Sequence, residues 1–269
     1  MAMSLLRAQD LAHGYTRGGL LSRKQRVQVL RDLDLDLREG ESVGLLGASG
    51  SGKSTLARLL MGVERPEQGR ILFRDGRAEA GGQAFLRAVQ MVFQDAPSAF
   101  NPRLSVGWSI AEPLRHLRGL DVQACAQRVA GLLEQVQLDP ADADKLPLQL
   151  SGGQLQRAGI ARALAAEPRL IILDEALSNL DRTLQLHMLE LLTELRERLG
   201  TAFLLITHDL SLVRYFCQRV LLLADGSIVE DRAVTPGMRF AHPAGQLLEA
   251  AVLPGEPADI KRHRTASYA

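Results

Sequence analysis

The chain has 269 residues, 46% of them hydrophobic, which is enough for a large core in one domain with a subdomain or in two small domains, and excludes a disordered chain. Lys and Arg total 32 against 31 Asp and Glu, a formal charge of +1, so no long-range field gathers nucleic acid, and a basic patch would have to be local. Two widely separated cysteines, Cys125 and Cys217, suit reduced thiols better than a disulfide scaffold, and neither a secretory leader nor the run of about 18 apolar residues needed for a membrane span is legible.

In chain order, Leu33 to Leu37 alternates Leu and Asp, the period of a strand with one wet face, and predicts an N-terminal antiparallel sheet. The preceding stretch, Thr16 to Val27, is basic and aperiodic and reads as an exposed insertion between two strands. Ser42 to Leu46 is a short apolar run that enters a glycine-rich turn and then a helical stretch, Ser54 to Met61. From about Asn101 to Leu138 apolar residues recur every three or four positions (Val122, Ala126, Val129, Leu133, Val136), the pattern of an inserted helical subdomain. Leu170 to Leu173, Ala202 to Ile206 and Val220 to Leu223 each follow a helical segment, so a mainly parallel sheet is expected. Asp225-Gly226 is a hairpin turn, and the proline-bearing segment after Ala233 reads as a loosely packed tail.

Gly47-Ala48-Ser49-Gly50-Ser51-Gly52-Lys53-Ser54-Thr55 fits G-x-x-x-x-G-K-[ST]. Glycines let successive N–H groups turn toward phosphate oxygens, and the following helix adds the positive end of its dipole. Lys53 would reach the β and γ phosphates and the Ser54 hydroxyl a Mg²⁺ ion. Leu170 to Glu175 is an apolar strand ending in two carboxylates: Asp174 would serve the Mg²⁺ shell, and Glu175 would polarise an attacking water.

Ser151-Gly152-Gly153-Gln154 follows Leu150 and opens another helical run, which makes a second anion cradle. One nucleotide does not need two cradles. The economical explanation is a dimer holding two ATP molecules at its interface.

With these motifs in place the chain resembles the ATP-binding cassette ATPases of membrane transporters, over almost its whole length. The resemblance implies an α/β fold: a P-loop core, mainly parallel sheet plus N-terminal antiparallel sheet, with an inserted helical subdomain. It divides the chain into residues 1–95 and 166–232 as the ATP-binding core, 96–165 as the helical subdomain, and 233–269 as a C-terminal extension. It also implies roles. Tyr15 would stack on adenine, Gln94 would touch Mg²⁺ and the water, Asp181 would cross the dimer interface, and His208 would contact the γ-phosphate. The remaining histidines, including His13, His116, His187, His242 and His263, have no metal-site spacing. Ala176-Leu177-Ser178-Asn179 departs from the family's Pro-Thr-Ser-Ala without losing a catalytic atom.

The basic insertion, Phe93 to Arg103, Glu112 to Leu117 and Ala241 to Pro254 are similar to the ATPases of peptide and nickel importers. The implied partners are a second ATPase subunit in a heterodimer or homodimer, two membrane permeases and a periplasmic or extracellular binding protein, at the cytoplasmic face of the inner membrane. The implied cargo is nickel or its chelate, with a dipeptide or oligopeptide as the alternative. A P-loop kinase would need neither the second cradle nor a histidine after the next strand, and relatives acting on DNA or ribosomes commonly fuse two cassettes.

Overall fold

The computed structural model describes residues 4–17, 25–74, 78–79 and 81–251. The first hairpin joins β1 (Ser4–Arg17) to β2 (Gln25–Arg38), and β4 (Gln68–Phe73) and β5 (Ala78–Glu79) extend it into an antiparallel sheet ordered β2-β1-β4-β5. The Leu/Asp alternation does what its period demands: Leu33, Leu35 and Leu37 are buried, while Asp34 and Asp36 face outward. The basic insertion is shorter than its composition suggests. Pairing runs out to Arg17 opposite Gln25, because cross-strand backbone bonds recruit residues without any side-chain period. Only residues 18–24 of that stretch lie outside the described residues.

The second sheet has six strands in the order β10-β9-β3-β8-β7-β6. They are β3 (Ser42–Leu46), β6 (Val89–Val92), β7 (Leu170–Asp174), β8 (Ala202–Thr207), β9 (Arg219–Ala224) and β10 (Ser227–Ala233), and all but β10 run parallel. The central strands β3, β7, β8 and β9 are covered on both faces and read as nearly continuous apolar runs. Leu170 and Ile172 face the core shared with the antiparallel sheet, whereas Ile171 and Leu173 face the core shared with the helices. Asp225 and Gly226 close the β9–β10 hairpin with φ of 50° and 82°, the left-handed pair that a two-residue turn requires. Edge strand β6 has no sequence signal beyond four residues, and its pairing with β7 alone defines it.

Helix α1 (Lys53–Leu60) follows β3, and α2 (Gly82–Ala88) precedes β6. The middle of the chain is helical as its period predicts: α3 (Val106–Arg118), α4 (Val122–Gln135) and α5 (Gly152–Ala165) pack on one another. The buried stripe of α4 is rotated from the one read in the sequence. Cys125, Val129, Leu132 and Leu133 are buried, with Val136 just beyond, while Val122, in the first turn after the Asp121 cap, and Ala126 face outward. Helix α6 (Arg182–Leu199) joins β7 to β8, and α7 (Leu210–Phe216) joins β8 to β9.

The segment after Ala233 is a correction. Up to residue 251 it is docked: Met238 and Phe240 are buried, and α8 (Pro243–Ala251) folds back on them. Pro243 opens that helix, where its missing N–H costs nothing. The Phe240 N–H donates to Glu249 Oε1 at 3.1 Å, and Arg214 of α7 donates to the Met238 carbonyl at 3.2 Å. Residues 252–269 lie outside the described residues.

Candidate active site

The loop Gly47 to Gly52 sits at the carboxyl end of β3, where an open α/β sheet presents its ligand crevice. Two glycines are required sterically. A Cβ on Gly47 would lie 2.6 Å from the Leu223 carbonyl oxygen, and Gly52 takes φ of 108° while a Cβ there would press on Leu30. Gly52 caps α1 without a side-chain acceptor, so the first N–H groups of the helix are left for a ligand. Ala48, Ser49 and Gly50 are exposed, Ser51 is half-buried, and Ser54 is exposed beside the buried Lys53 and Thr55. The Lys53 ammonium donates to the Gly47 and Ala48 carbonyls at 2.8 and 2.9 Å. Burial lowers its pKa, and the neighbouring carboxylates of Glu175 and Asp174 partly restore it.

Those carboxylates come from β7, two strands away across the sheet. Asp174 is bonded to the Ser54 hydroxyl, burial raises its pKa, and its Oδ1 is buried with no hydrogen-bond partner among the described residues. Glu175 leaves the strand at φ of 47°, in the left-handed region that non-glycine residues adopt infrequently. Its N–H donates to the Ile206 carbonyl of β8 at 3.0 Å, which holds the strained residue in place. His208, exposed at the end of β8, has Nδ1 3.8 Å from Glu175 Oε1. Gln94 approaches from the end of β6, where its amide donates to Ser178 Oγ at 3.4 Å, and Ser178 Oγ donates to the Glu175 carbonyl at 2.8 Å.

The second cradle differs. Ser151 caps α5 and accepts from the Gln154 N–H at 3.2 Å, while Gln154 Oε1 accepts from the Ser151 N–H at 2.9 Å. Ser151 and Gly152 are exposed, and Gly153 and Gln154 are half-exposed. Asp181 caps α6, accepting from the Leu184 N–H at 3.0 Å, and a Cβ on Gly153 would meet the Leu184 side chain at 3.5 Å. Thus Lys53, Ser54, Asp174, Glu175, Gln94 and His208 converge, while Ser151 to Gln154 and Asp181 stand on exposed turns. The Tyr15 hydroxyl donates to Glu64 Oε2, past the end of α1, at 2.6 Å and accepts from Arg58 of α1 at 2.9 Å.

Two features escaped sequence reading. Ser178 bridges Gln94 to Glu175, and an ion pair of 3.1 Å joins Arg182, beside Asp181, to Asp209, beside His208. Only the adjacency of Arg182 and Asp209 to motif residues could have suggested the second. Both cysteines are buried and free, and burial pushes the Cys217 thiol far above its usual range. Among the described residues no group of three or more His, Cys, Asp or Glu side chains could hold a metal, and no helix is long and apolar enough to cross a membrane.

The ABC transporter family profile matches residues 30–178, a span holding both carboxylates and both cradles. The chain belongs to the ABC transporter family. As an ABC transporter ATPase it binds and hydrolyses ATP, and as such a subunit it works with membrane permeases. It is 61% identical over 259 residues to the nickel import ATP-binding protein NikE of Pseudomonas putida, covering 95% of each chain. To the protein of the same name from Rhodospirillum rubrum it is 54% identical, covering 94% of this chain and 93% of that one. Among solved structures, the dimeric ATP-binding cassette MJ0796 bound to ADP and Pi matches this ABC ATPase with TM-score 0.74 at 27% identity, over 86% of this chain and 100% of that one. CbiO1 from Clostridium perfringens, part of the ABC transporter complex cbiONQ, matches with TM-score 0.74 at 26% identity, over 86% and 89%.

Proposed function

We propose that this ABC ATPase energises the import of nickel, or of a nickel chelate, from the cytoplasmic face of the inner membrane. The observation that supports the cargo is the near-full-length identity, 61% and 54%, to two proteins named for nickel import. The working unit in this reading is a pair of ATPase subunits on two permeases, fed by a periplasmic or extracellular binding protein. Residues 1–95 and 166–232 act as the ATP-binding core, 96–165 as a helical subdomain, and 233–269 as an extension.

The residues at the site fit Mg²⁺. Asp174 offers a buried oxygen without a partner, and Ser54 is bonded to the same carboxylate, a hard-oxygen set suited to this ion. When bound with ATP, Mg²⁺ would neutralise charge on the β and γ phosphates. Lys53, now held by two loop carbonyls, turns its ammonium onto the same phosphates, and the N–H groups of Gly47 to Thr55 take the remaining oxygens. Gln94 and His208 orient the attacking water and the γ-phosphate. Glu175 accepts the proton as the water oxygen bonds to phosphorus and the bond to ADP breaks. Ser151 to Gln154 of one subunit, with Asp181, cover the γ-phosphate held by the other, so ATP closes the dimer and hydrolysis reopens it. Motion of the helical subdomain, linked through Gln94, passes that change to the permease.

Deleting the gene tests the cargo. Uptake of labelled nickel and the activity of nickel enzymes should fall and recover with excess nickel in the medium, with growth on peptides unaffected. Normal nickel uptake with failure to use di- or oligopeptides would overturn the nickel reading in favour of peptide import.

A further inference from the structure

We propose that Glu64 and Arg58 are positioning residues that orient the Tyr15 ring as the platform for the nucleotide base; this rests on the reading of Tyr15 as the base-stacking aromatic. The Tyr15 hydroxyl is engaged in both directions. It donates to Glu64 Oε2 at 2.6 Å and accepts from Arg58 Nη2 at 2.9 Å. Arg58 Nε also lies 2.7 Å from Glu64 Oε1, so the two anchors brace each other. The phenol hydroxyl and the Arg58 guanidinium together hold the Glu64 carboxyl below its usual range.

These bonds fix the axis of the ring but leave rotation about that axis free. The plane is set by His13, buried on the same strand, whose ring meets Tyr15 edge-on at 5.0 Å and 85°. His13 Nε2 lies 3.3 Å from Glu64 Oε2. One carboxylate therefore accepts from the hydroxyl and stands beside the imidazole that meets the ring edge-on.

The location gives the cluster its use. Arg58 belongs to α1, the helix whose first residues, Lys53 to Thr55, close the phosphate loop, and Arg58 Nη2 approaches the Thr55 hydroxyl at 3.5 Å. Glu64 lies just beyond the end of α1. The ring on β1 is thereby tied to the helix that carries the phosphate site, which sets the separation between base platform and phosphate cradle. A cluster serving only to join β1 to α1 would support the helix, and its loss would affect phosphate and base alike.

That difference supplies the test. ATP and inorganic triphosphate, which lacks a base, are each titrated against the full chain and its Tyr15→Phe, Glu64→Ala, Glu64→Gln, Tyr15→Ala and double Tyr15→Phe/Glu64→Ala variants by competition with a fluorescent nucleotide. Tyr15→Phe and Glu64→Ala should each weaken ATP binding about threefold to tenfold, the scale of a misaligned aromatic contact, and leave triphosphate unchanged. The double variant should lose no more than either single change, and Glu64→Gln, which keeps an acceptor for the phenol, should fall between wild type and Glu64→Ala. Equal losses for ATP and triphosphate would overturn the proposal by assigning the cluster to helix support. Loss of ATP affinity in Tyr15→Ala but not in Tyr15→Phe or Glu64→Ala would overturn the positioning role and keep the platform. No ATP-selective loss in Tyr15→Ala would remove the platform reading itself. Should Glu64→Ala fail to fold, Tyr15→Phe, one oxygen smaller than wild type, makes the same comparison.

Discussion

Two loops in this molecule use one local device, a glycine-bearing turn at a helix N-terminus, and the surroundings make them different things. At Gly47 to Thr55 the cap is a left-handed glycine with no side-chain acceptor, a buried lysine lies alongside, and the carboxylates of β7 stand opposite. At Ser151 to Gln154 the cap satisfies itself through a reciprocal serine–glutamine pair on an exposed turn. A helix N-terminus attracts anions in both cases, but only the first has a buried lysine and the carboxylates of Asp174 and Glu175 around it. In the proposed dimer, the second is a surface that gains a function when another nucleotide site is brought to it.

The sharpest break between the two concerns chemistry. Glu175→Gln keeps the side-chain shape and leaves Asp174 in place, so turnover should fall by roughly 10² or more with nucleotide binding retained. Steady-state ATPase assays beside binding titrations check it, and near-normal turnover would remove Glu175 from its role.

Gly153→Asp attacks the other loop. A Cβ there meets only Leu184 atoms, the nearer at 3.5 Å, ordinary contact, so the chain should fold. A carboxylate facing a neighbour's γ-phosphate repels it, and activity should drop by about tenfold or more with nucleotide affinity of the isolated chain unchanged. A large affinity loss in the monomer would mean that the loop completes its own subunit's site.

Alanine at the glycines separates the loops on steric grounds. Gly47→Ala drives a methyl into the Leu223 carbonyl oxygen at 2.6 Å and should cost about 1–3 kcal/mol of stability, read by denaturant titration, along with nucleotide affinity. Gly152→Ala meets nothing within 4 Å and should be silent in the monomer. Any ATPase loss in that variant would arise across the dimer interface.

The smallest effect lies at the far end of the second loop's helix. Just past α5, Glu167 accepts from Arg118 and lies 3.4 Å from Arg128 and 3.5 Å from Arg87, and these guanidiniums, Arg118 first, hold its carboxyl below the usual range. A depressed carboxylate pKa stabilises the fold above the unfolded value near 4.5, and the contribution is lost as pH falls through the folded value. Glu167→Gln should therefore lower Tm by about 2 °C or less at neutral pH, the scale of exposed ion pairs, with the gap closing in acid. A gap that stayed constant from pH 7 to pH 3 would exclude the charge as its cause.

Much of this architecture was legible because its signals are local. The Leu/Asp period of β2, the Asp225-Gly226 turn and the glycine spacing before Lys53 each express a constraint within ten residues. The rotated stripe of α4 was not legible, because Val122 and Ala126 sit at apolar spacing whether or not a neighbour covers them. Nor was the docked α8, since Pro236 and Pro243 look the same in a loose tail as at a helix start.

By itself the sequence determined the two cradles, the strand that ends in Asp174 and Glu175, and the mainly parallel sheet. Backbone geometry and hydrophobic period are properties of neighbours along the chain. Tertiary structure alone decided that Ser178 joins Gln94 to Glu175, that Arg182 meets Asp209, and that Glu64 braces Tyr15 from 49 residues away. Hydrogen bonds and ion pairs of that kind depend on which strand ends lie side by side, and strand order is set by packing across the sheet, which no single segment encodes.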